Sequence, residues 1–300
     1  MSIVYIHGVA VRDHRGDAVA GSGSVLLDRL LQSITWEAVA ANLLEFVAPV
    51  ISAEPSQVEL HHAYWGDLAA GLAWDGASCP SDPGDLGSGV SHPGHLRSLR
   101  PPTRSRVVAD LRRPLNQLGA QFIGDVFSYL NGRGDETAPG PVPMRILDSL
   151  AKAQSTKERS GEPIVVLTNS MGGQIMYDIV TYFLPRLKEY SAIRVDFWCS
   201  VASQIGLFEE MKLFLVSSPE YGRRHGNRVP FPDRRHLGTW LNVWDVDDVI
   251  SYSVAEIIEG VDDMSFRVGR PLLQEHIGYL QEDAFYMLLA DHVGRALNPP

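Results

Sequence analysis

Three hundred residues with 45% hydrophobic and 21% charged content can bury one large core, or one core carrying an insertion. A formal net charge of −10 removes the basic face that general nucleic-acid binding needs, so no nucleic-acid partner is expected. No apolar stretch approaches the roughly 20 residues of a membrane span, and the two cysteines, Cys79 and Cys199, are too few for a disulfide framework, so a soluble cytoplasmic protein is expected.

In chain order, Ser2–Ile6 is a short β-rich run closed by His7-Gly8, and it reads as a core strand rather than a leader. A polar stretch, Val11–Ser24, follows. Val25 to Ile51 then carries Leu26, Leu27, Leu30, Leu31, Ile34, Leu43, Leu44, Phe46 and Val47 at helical spacing, as two helices or one long one. Gln57–Tyr64 alternates and predicts a strand, giving β-α-β at the start of a parallel sheet. The rhythm breaks at Ala77–Arg104, rich in Gly, Pro, Ser and Asp. Val107–Leu130 returns to helical spacing with Phe122, Val126 and Leu130 as its stripe, and a helix is expected near Met144–Ala153. Trp65–Pro143 therefore reads as an insertion over the sheet, either a substrate lid or an inert surface excursion.

Alternation resumes at Pro163. The pattern predicts a strand at Ile164–Leu167, a helix over about Gly172–Tyr190, a strand at Ile193–Ser200 and a helix at Phe208–Val216. A strand at Trp240–Trp244, a helix at Val249–Ile258, a strand at Met264–Val268 and a terminal helix at Ile277–Leu297 complete the series. Such end-to-end alternation argues for an α/β fold with a mainly parallel sheet and helices on both faces.

The chemistry concentrates where the apolar run Ile164–Leu167 ends in Thr168-Asn169-Ser170-Met171-Gly172-Gly173 and a helical pattern starts at Gln174. A sharp strand-to-helix turn lifts a serine hydroxyl above the sheet edge, with a helix N-terminus favouring developing negative charge. Small residues are needed two positions before and after that serine. Gly172 meets the demand, while Thr168 departs from it. The same turn also fits a plain strand–turn–helix joint with an incidental serine.

A serine nucleophile needs a base, an orienting carboxylate and amide donors for an oxyanion. On an elbow of this kind acid and base follow the serine in the order Ser, Asp/Glu, His. The acids are Asp245, Asp247 and Asp248, in the loop after an apolar strand; spacing alone leaves the three open, and each could instead cap the following helix. The base is His276, in the loop after the last strand. His292 lies inside the terminal helix, and His225 and His236 precede the acid. His61 and His62 are adjacent on a strand and point to opposite faces, so they cannot chelate one metal together. No HxxxH or CxxC spacing occurs, and neither metal nor cofactor is expected. Gly21-Ser22-Gly23 follows no strand and lacks the context of a phosphate cradle. The amides of Met171 and Val9 are the oxyanion donors expected, with Gly8 allowing close approach. His7, Gly8 and Asn169 flank the serine as candidate substrate contacts. Arg223 and Arg224, in the arginine-rich stretch Tyr221–His236, are candidates for a carboxylate or phosphate head group, or part of a solvated loop.

Together, His7-Gly8 after the first strand, Ser170-Met171-Gly172-Gly173, the Trp240-x-Asn242-x-x-Asp245-x-x-Asp248 strand and His276-x-x-Tyr279 resemble the α/β-hydrolase superfamily, and within it lipase-like serine esterases of a poorly characterised bacterial type. The resemblance covers most of the chain outside the insertion and puts Asp248 ahead of Asp245 and Asp247. It implies an α/β-hydrolase fold with a cap at 65–143, a Ser170–His276–Asp248 triad, and a small-molecule or lipid ester as substrate. An amidase or peptidase on the same triad, and a catalytically silent binding module, are the other readings.

Overall fold

The computed structural model describes residues 2–9, 11, 34–69, 122–222, 226–270 and 273–298. Among the described residues six strands form, β1 (Ser2–Ile6), β2 (Glu59–His62), β3 (Ile164–Asn169), β4 (Val195–Val201), β5 (Leu237–Trp244) and β6 (Asp262–Ser265), of which β1, β3, β4 and β5 are largely apolar and buried while β2 and β6 are polar and partly exposed. They make one sheet in the order β2-β1-β3-β4-β5-β6, and every neighbouring pair is parallel. The sheet is thus wholly parallel where a mainly parallel one was expected.

A parallel sheet must be covered on both faces, which is why its four central strands are largely continuous apolar runs, whereas the edge strands β2 and β6 are polar and partly exposed. Val4, Ile6, Ile164, Val166, Trp198 and Trp240 face one cluster with Ile146, Leu147 and Leu150 of the helix Pro141–Ser160 and Ile175 of the helix Met171–Asp178. Ile3, Tyr5, Val165, Leu167, Phe197 and Leu241 point the other way, onto Val39, Leu43 and Val47 and onto Phe285, Leu289 and Val293 of the helix Asp283–Leu297. β1 has β2 on one side and β3 on the other, so the crossovers diverge between β1 and β3. The carboxyl ends there border the crevice where open α/β sheets bind ligands.

Two helices change pitch, each just before a proline. Trp36–Asn42 passes through a π-helical turn, Leu43–Val47, into Ala48–Ile51, which contains Pro49. Met171–Asp178 passes through another, Ile179–Phe183, into Leu184–Arg186, which contains Pro185. Proline has no N–H for the helical ladder and crowds the carbonyl four residues back, so the turn widens.

Several sequence boundaries move, for local reasons. The helix expected at Phe208–Val216 runs from Ile205 to Glu210, and the chain leaves it at Lys212 with φ of 58°. No helix forms across Val249–Ile258. Asp263 accepts the N–H groups of Val254 and Ala255 and the Ser253 hydroxyl, and Asn242 donates to the Tyr252 carbonyl, so side chains take the backbone groups a helix would use. The last strand stops at Ser265, and the Val268 N–H turns instead to the Asp245 carboxylate. The terminal helix is split into Leu273–Gly278, a tight turn Tyr279–Gln281, and Asp283–Leu297.

Residues 1, 10, 12–33, 70–121, 223–225, 271–272 and 299–300 lie outside the description, and with them most of the proposed insertion, Cys79, Gly21-Ser22-Gly23, Arg223 and Arg224. At the end of the insertion residues 122–132 are helical, with Val126, Tyr129 and Leu130 on the core. One buried carboxylate secures them. Asp178 accepts from Tyr129 Oη at 2.8 Å, Arg133 Nη1 at 2.7 Å and the Leu215 N–H at 2.9 Å. Removing one partner of a buried charged pair strands the other, so Asp178→Ala is expected to lower unfolding free energy by about 3–5 kcal/mol. Denaturant unfolding followed by tryptophan fluorescence checks this, and a loss below about 1 kcal/mol, the scale of a single ordinary hydrogen bond, would show that this carboxylate does not hold the helix.

Candidate active site

Ser170 follows β3 with φ of 52° and ψ of −125°, a backbone conformation that non-glycine residues avoid. Its N–H donates to the Val201 carbonyl at 2.9 Å and its carbonyl accepts the Gly173 N–H at 2.9 Å, which together fix the turn. Gly172 is required because a Cβ there would run into the Ile6 carbonyl oxygen. A Cβ on Gly173 would sit 2.9 Å from Ser203 Cβ. Thr168, the departure from the small-residue pattern, has a task of its own: its buried hydroxyl accepts the Trp198 indole N–H at 3.0 Å.

The loop after β5 separates the three aspartates. Asp248, 3% exposed, accepts from His276 Nδ1 at 2.9 Å, from Tyr279 Oη at 3.4 Å and from the Ile250 N–H at 3.2 Å. Asp245 is also buried, but it accepts the N–H groups of Asp247 at 3.0 Å and Val268 at 2.8 Å. Asp247 is exposed and lies 3.4 Å from Arg267 Nε. None of them caps a helix, since none follows. Burial, and then the Asp248 and Asp245 charges, push the Tyr279 phenol up, so it stays protonated and donates.

His276 sits inside the short helix Leu273–Gly278 rather than before the terminal helix, and its Nε2 lies 2.9 Å from Ser170 Oγ. Nδ1 faces a carboxylate oxygen and must carry the proton, which leaves Nε2 to accept from the serine hydroxyl. The approach to this helix is clamped by Glu275, whose buried carboxylate accepts the N–H groups of Gly269 and Arg270. Sequence reasoning missed Glu275; a carboxylate beside the histidine was the only available sign. It also passed over the network beneath the loop, whose signal was Asn242 in an apolar strand.

The loop after β1 reaches the same point. Gly8 packs so closely on Ser170 that a Cβ would lie 2.8 Å from Ser170 Cβ. His7 is not arranged as a substrate contact, because both ring nitrogens serve the backbone. The Trp65 N–H donates to Nε2 at 3.0 Å, so Nδ1 is the protonated nitrogen and donates to the Gly8 carbonyl at 2.6 Å. The imidazole stacks on Trp65 with ring centroids 5.1 Å apart and planes 3° from parallel, and the indole N–H returns to the His7 carbonyl at 2.9 Å. Trp65 is therefore buried scaffold and not a lid face. With the Gly8 carbonyl pinned to His7, the trans peptide directs the Val9 N–H the opposite way.

The remaining candidates are engaged elsewhere. Arg228 and Arg234 donate to the Ile258 and Gly238 carbonyls, and Arg235 pairs with Asp233, so these three brace their own loop. His236 faces the Ile193 carbonyl, His292 pairs with Asp262, His61 faces Ser2, and His62 stacks on Trp36. Burial pushes the Cys199 thiol up, so it is no thiolate. Asp245, Asp247 and Glu275 present oxygens within 4.8 Å of one another, the one grouping of metal-ligand type among the described residues. Its two buried members already accept the backbone N–H groups that shape the loop.

No protein-family model and no curated protein matches this chain in sequence. The geometry makes a direct spectroscopic prediction. His7 and His276 should both be Nδ1–H tautomers near neutral pH in long-range ¹H–¹⁵N spectra, assigned by His7→Gln and His276→Gln. An Nε2–H signal from His7 would rule out the Trp65 bond and the pinned Gly8 carbonyl with it.

Proposed function

We propose that this protein is a serine hydrolase of carboxylic esters on the α/β-hydrolase plan, with Ser170 as nucleophile, His276 as base and Asp248 as orienting acid. One observation carries the reading. A serine in a strained strand-to-helix turn meets a histidine nitrogen at 2.9 Å, and the other nitrogen of that ring meets a buried aspartate at 2.9 Å. A structural serine needs neither the strain nor an acceptor aligned with its hydroxyl.

The chemistry follows. His276 Nε2 takes the hydroxyl proton as Ser170 Oγ bonds to the acyl carbon, and the carbonyl electron pair moves onto oxygen. The amides of Val9 and Met171 receive that charge, aided by the N-terminus of the Met171–Asp178 helix. Collapse breaks the ester C–O bond, and the departing alkoxide takes the proton from His276. Water then attacks the acyl-enzyme with its proton passing to His276, and the carboxylic acid leaves as the proton returns to Ser170. Asp248 holds the ring in the Nδ1–H tautomer and stabilises the imidazolium. The Tyr279 phenol donates a second, longer bond to the same carboxylate oxygen and keeps it turned toward the ring.

A fluorophosphonate probe is expected to label the wild type at Ser170 and to label neither Ser170→Ala nor His276→Ala. Turnover of p-nitrophenyl esters should fall on the order of 10⁴–10⁶ in Ser170→Ala and on the order of 10⁴ in Asp248→Asn. Asp245→Asn and Asp247→Asn should keep labelling at Ser170. A folded Ser170→Ala protein with near wild-type turnover would remove Ser170 from the mechanism, and a folded wild type that neither labels nor turns over would favour the binding module.

A further inference from the structure

The turn after β4 carries an uncommon backbone and an uncommon side chain. Ala202 is buried with φ of 54°, a left-handed conformation that a residue with a Cβ rarely adopts. Two residues on, Gln204 is 3% exposed and spends its whole amide on three partners. Its Nε2 donates to the Ala202 carbonyl at 2.9 Å and to the Ile250 carbonyl at 2.6 Å, and its Oε1 accepts Gln174 Nε2 at 2.5 Å. The orientation of this amide is forced, because both carbonyls can only accept.

Its partners belong to the three segments that have to meet at the site. Gln174 stands one turn beyond Ser170 on the helix Met171–Asp178. Ala202 follows Val201, whose carbonyl holds the Ser170 N–H. Ile250 lies two residues past Asp248, and its N–H donates to Asp248 Oδ1 at 3.2 Å while Oδ2 of the same carboxylate faces His276. Gln204 thus holds by its carbonyl the residue whose N–H holds the far oxygen of the acid. Tyr252 is fixed separately, its N–H on the Ser203 carbonyl at 3.0 Å and its carbonyl on Asn242 Nδ2 at 3.0 Å. Losing the Gln204 amide therefore frees a short stretch beside the acid and not the whole loop.

Fold stability alone does not call for this arrangement. Gln174 Oε1 is buried and, among the described residues, has no hydrogen-bond partner. An apolar side chain of the same length would avoid that unmade acceptor, so the amide is kept for the one donor it gives to Gln204.

We propose that Gln204 is a positioning residue that acts through Ile250 on Asp248 and sets the acid loop in register with the helix of Ser170. This rests on the serine-hydrolase reading above. A misplacement of about 1 Å in such a constellation costs on the order of 100-fold in rate, so a single buried amide joining the three segments has a measurable effect.

The test is Gln204→Met, which keeps the length of the side chain and removes every bond of its amide, made in the wild type and in Asp248→Asn. On p-nitrophenyl butyrate, kcat per folded molecule should fall about 10- to 100-fold with KM within about threefold. In Asp248→Asn the same change should cost less than about threefold more, because the route runs through the acid. In long-range ¹H–¹⁵N spectra His276 of Gln204→Met should show the Nε2–H tautomer beside Nδ1–H, while His7 stays Nδ1–H. A folded Gln204→Met protein that keeps both kcat and the single His276 tautomer overturns the proposal, and so does a loss that multiplies in full with Asp248→Asn. In the wild type the Gln204 side-chain amide protons should exchange slowly with solvent, and rapid exchange overturns the proposal even if the variant fails to fold. Fluorophosphonate labelling separates the two failures: a wild type labelled at Ser170 with an indifferent Gln204→Met loses only the Gln204 inference, whereas an unlabelled wild type that turns over no ester loses the hydrolase reading and this role with it.

Discussion

The arrangement depends on one close approach, that of the turn after β3 to the end of β1. Ser170 holds a left-handed backbone that costs on the order of 1–3 kcal/mol and persists only where its surroundings over-determine it. They do so from three directions. The Val201 carbonyl holds the Ser170 N–H, Gly172 slides against the Ile6 carbonyl with no room for a Cβ, and Gly8 closes over Ser170 Cβ. All three contacts exist because β1, β3 and β4 are neighbours in register, with Ile6 beside Thr168 and Asn169 beside Val201. The position of the hydroxyl is thus a property of the sheet.

The acid loop is fixed by other means. With no helix after β5, its backbone groups are satisfied by side chains. Trp240 donates to Ser200, Ser200 donates to Asn242 Oδ1, and Asn242 Nδ2 donates to Asp263 and the Tyr252 carbonyl. Asp263 in turn receives Ser253, Val254 and Ala255. This chain of polar contacts ties β4, β5 and β6 to the segment that follows Asp248. A buried network whose members are paired is rigid. It gives Asp248 a fixed place without the regular structure that usually provides one.

Much of this was legible in the sequence. The four central strands, the turn at Ser170 and the His276 position follow from apolar runs and their punctuation, because a parallel sheet buried on both faces writes its central strands as mainly apolar runs; the edge strand β2 was read from alternation instead, and β6 only in its Met264–Ser265 half. Strand ends and helix continuity were not legible. Asp245 ends β6 pairing by capturing the Val268 N–H, and Asp263 prevents a helix by capturing two others. Both act across a chain distance that no periodicity records. The task of His7 was hidden for the same reason: its partners are the backbone of Trp65 and of its own neighbour, and neither leaves a mark in residue spacing. Among the three aspartates spacing left a tie. Geometry separates them, because only Asp248 meets His276.

Two supporting structures therefore meet at one serine and share little else. On the β1 side the Val9 peptide is aimed by an imidazole stacked on an indole. On the β5 and β6 side His276 is aimed by carboxylates, Asp248 on the ring itself and Asp245 and Glu275 on the loop beneath it. Substitutions in separate clusters with no shared partner add in free energy, whereas those in one cluster do not. A change at His7 and a change at Glu275 should then combine as independent losses, while Asp245 and Glu275, which hold adjacent amides of one loop, should not. Positioning on the two sides is separable because Ser170 is reached by backbone packing from β1 and by a side-chain hydrogen bond from His276, and the first does not pass through the second.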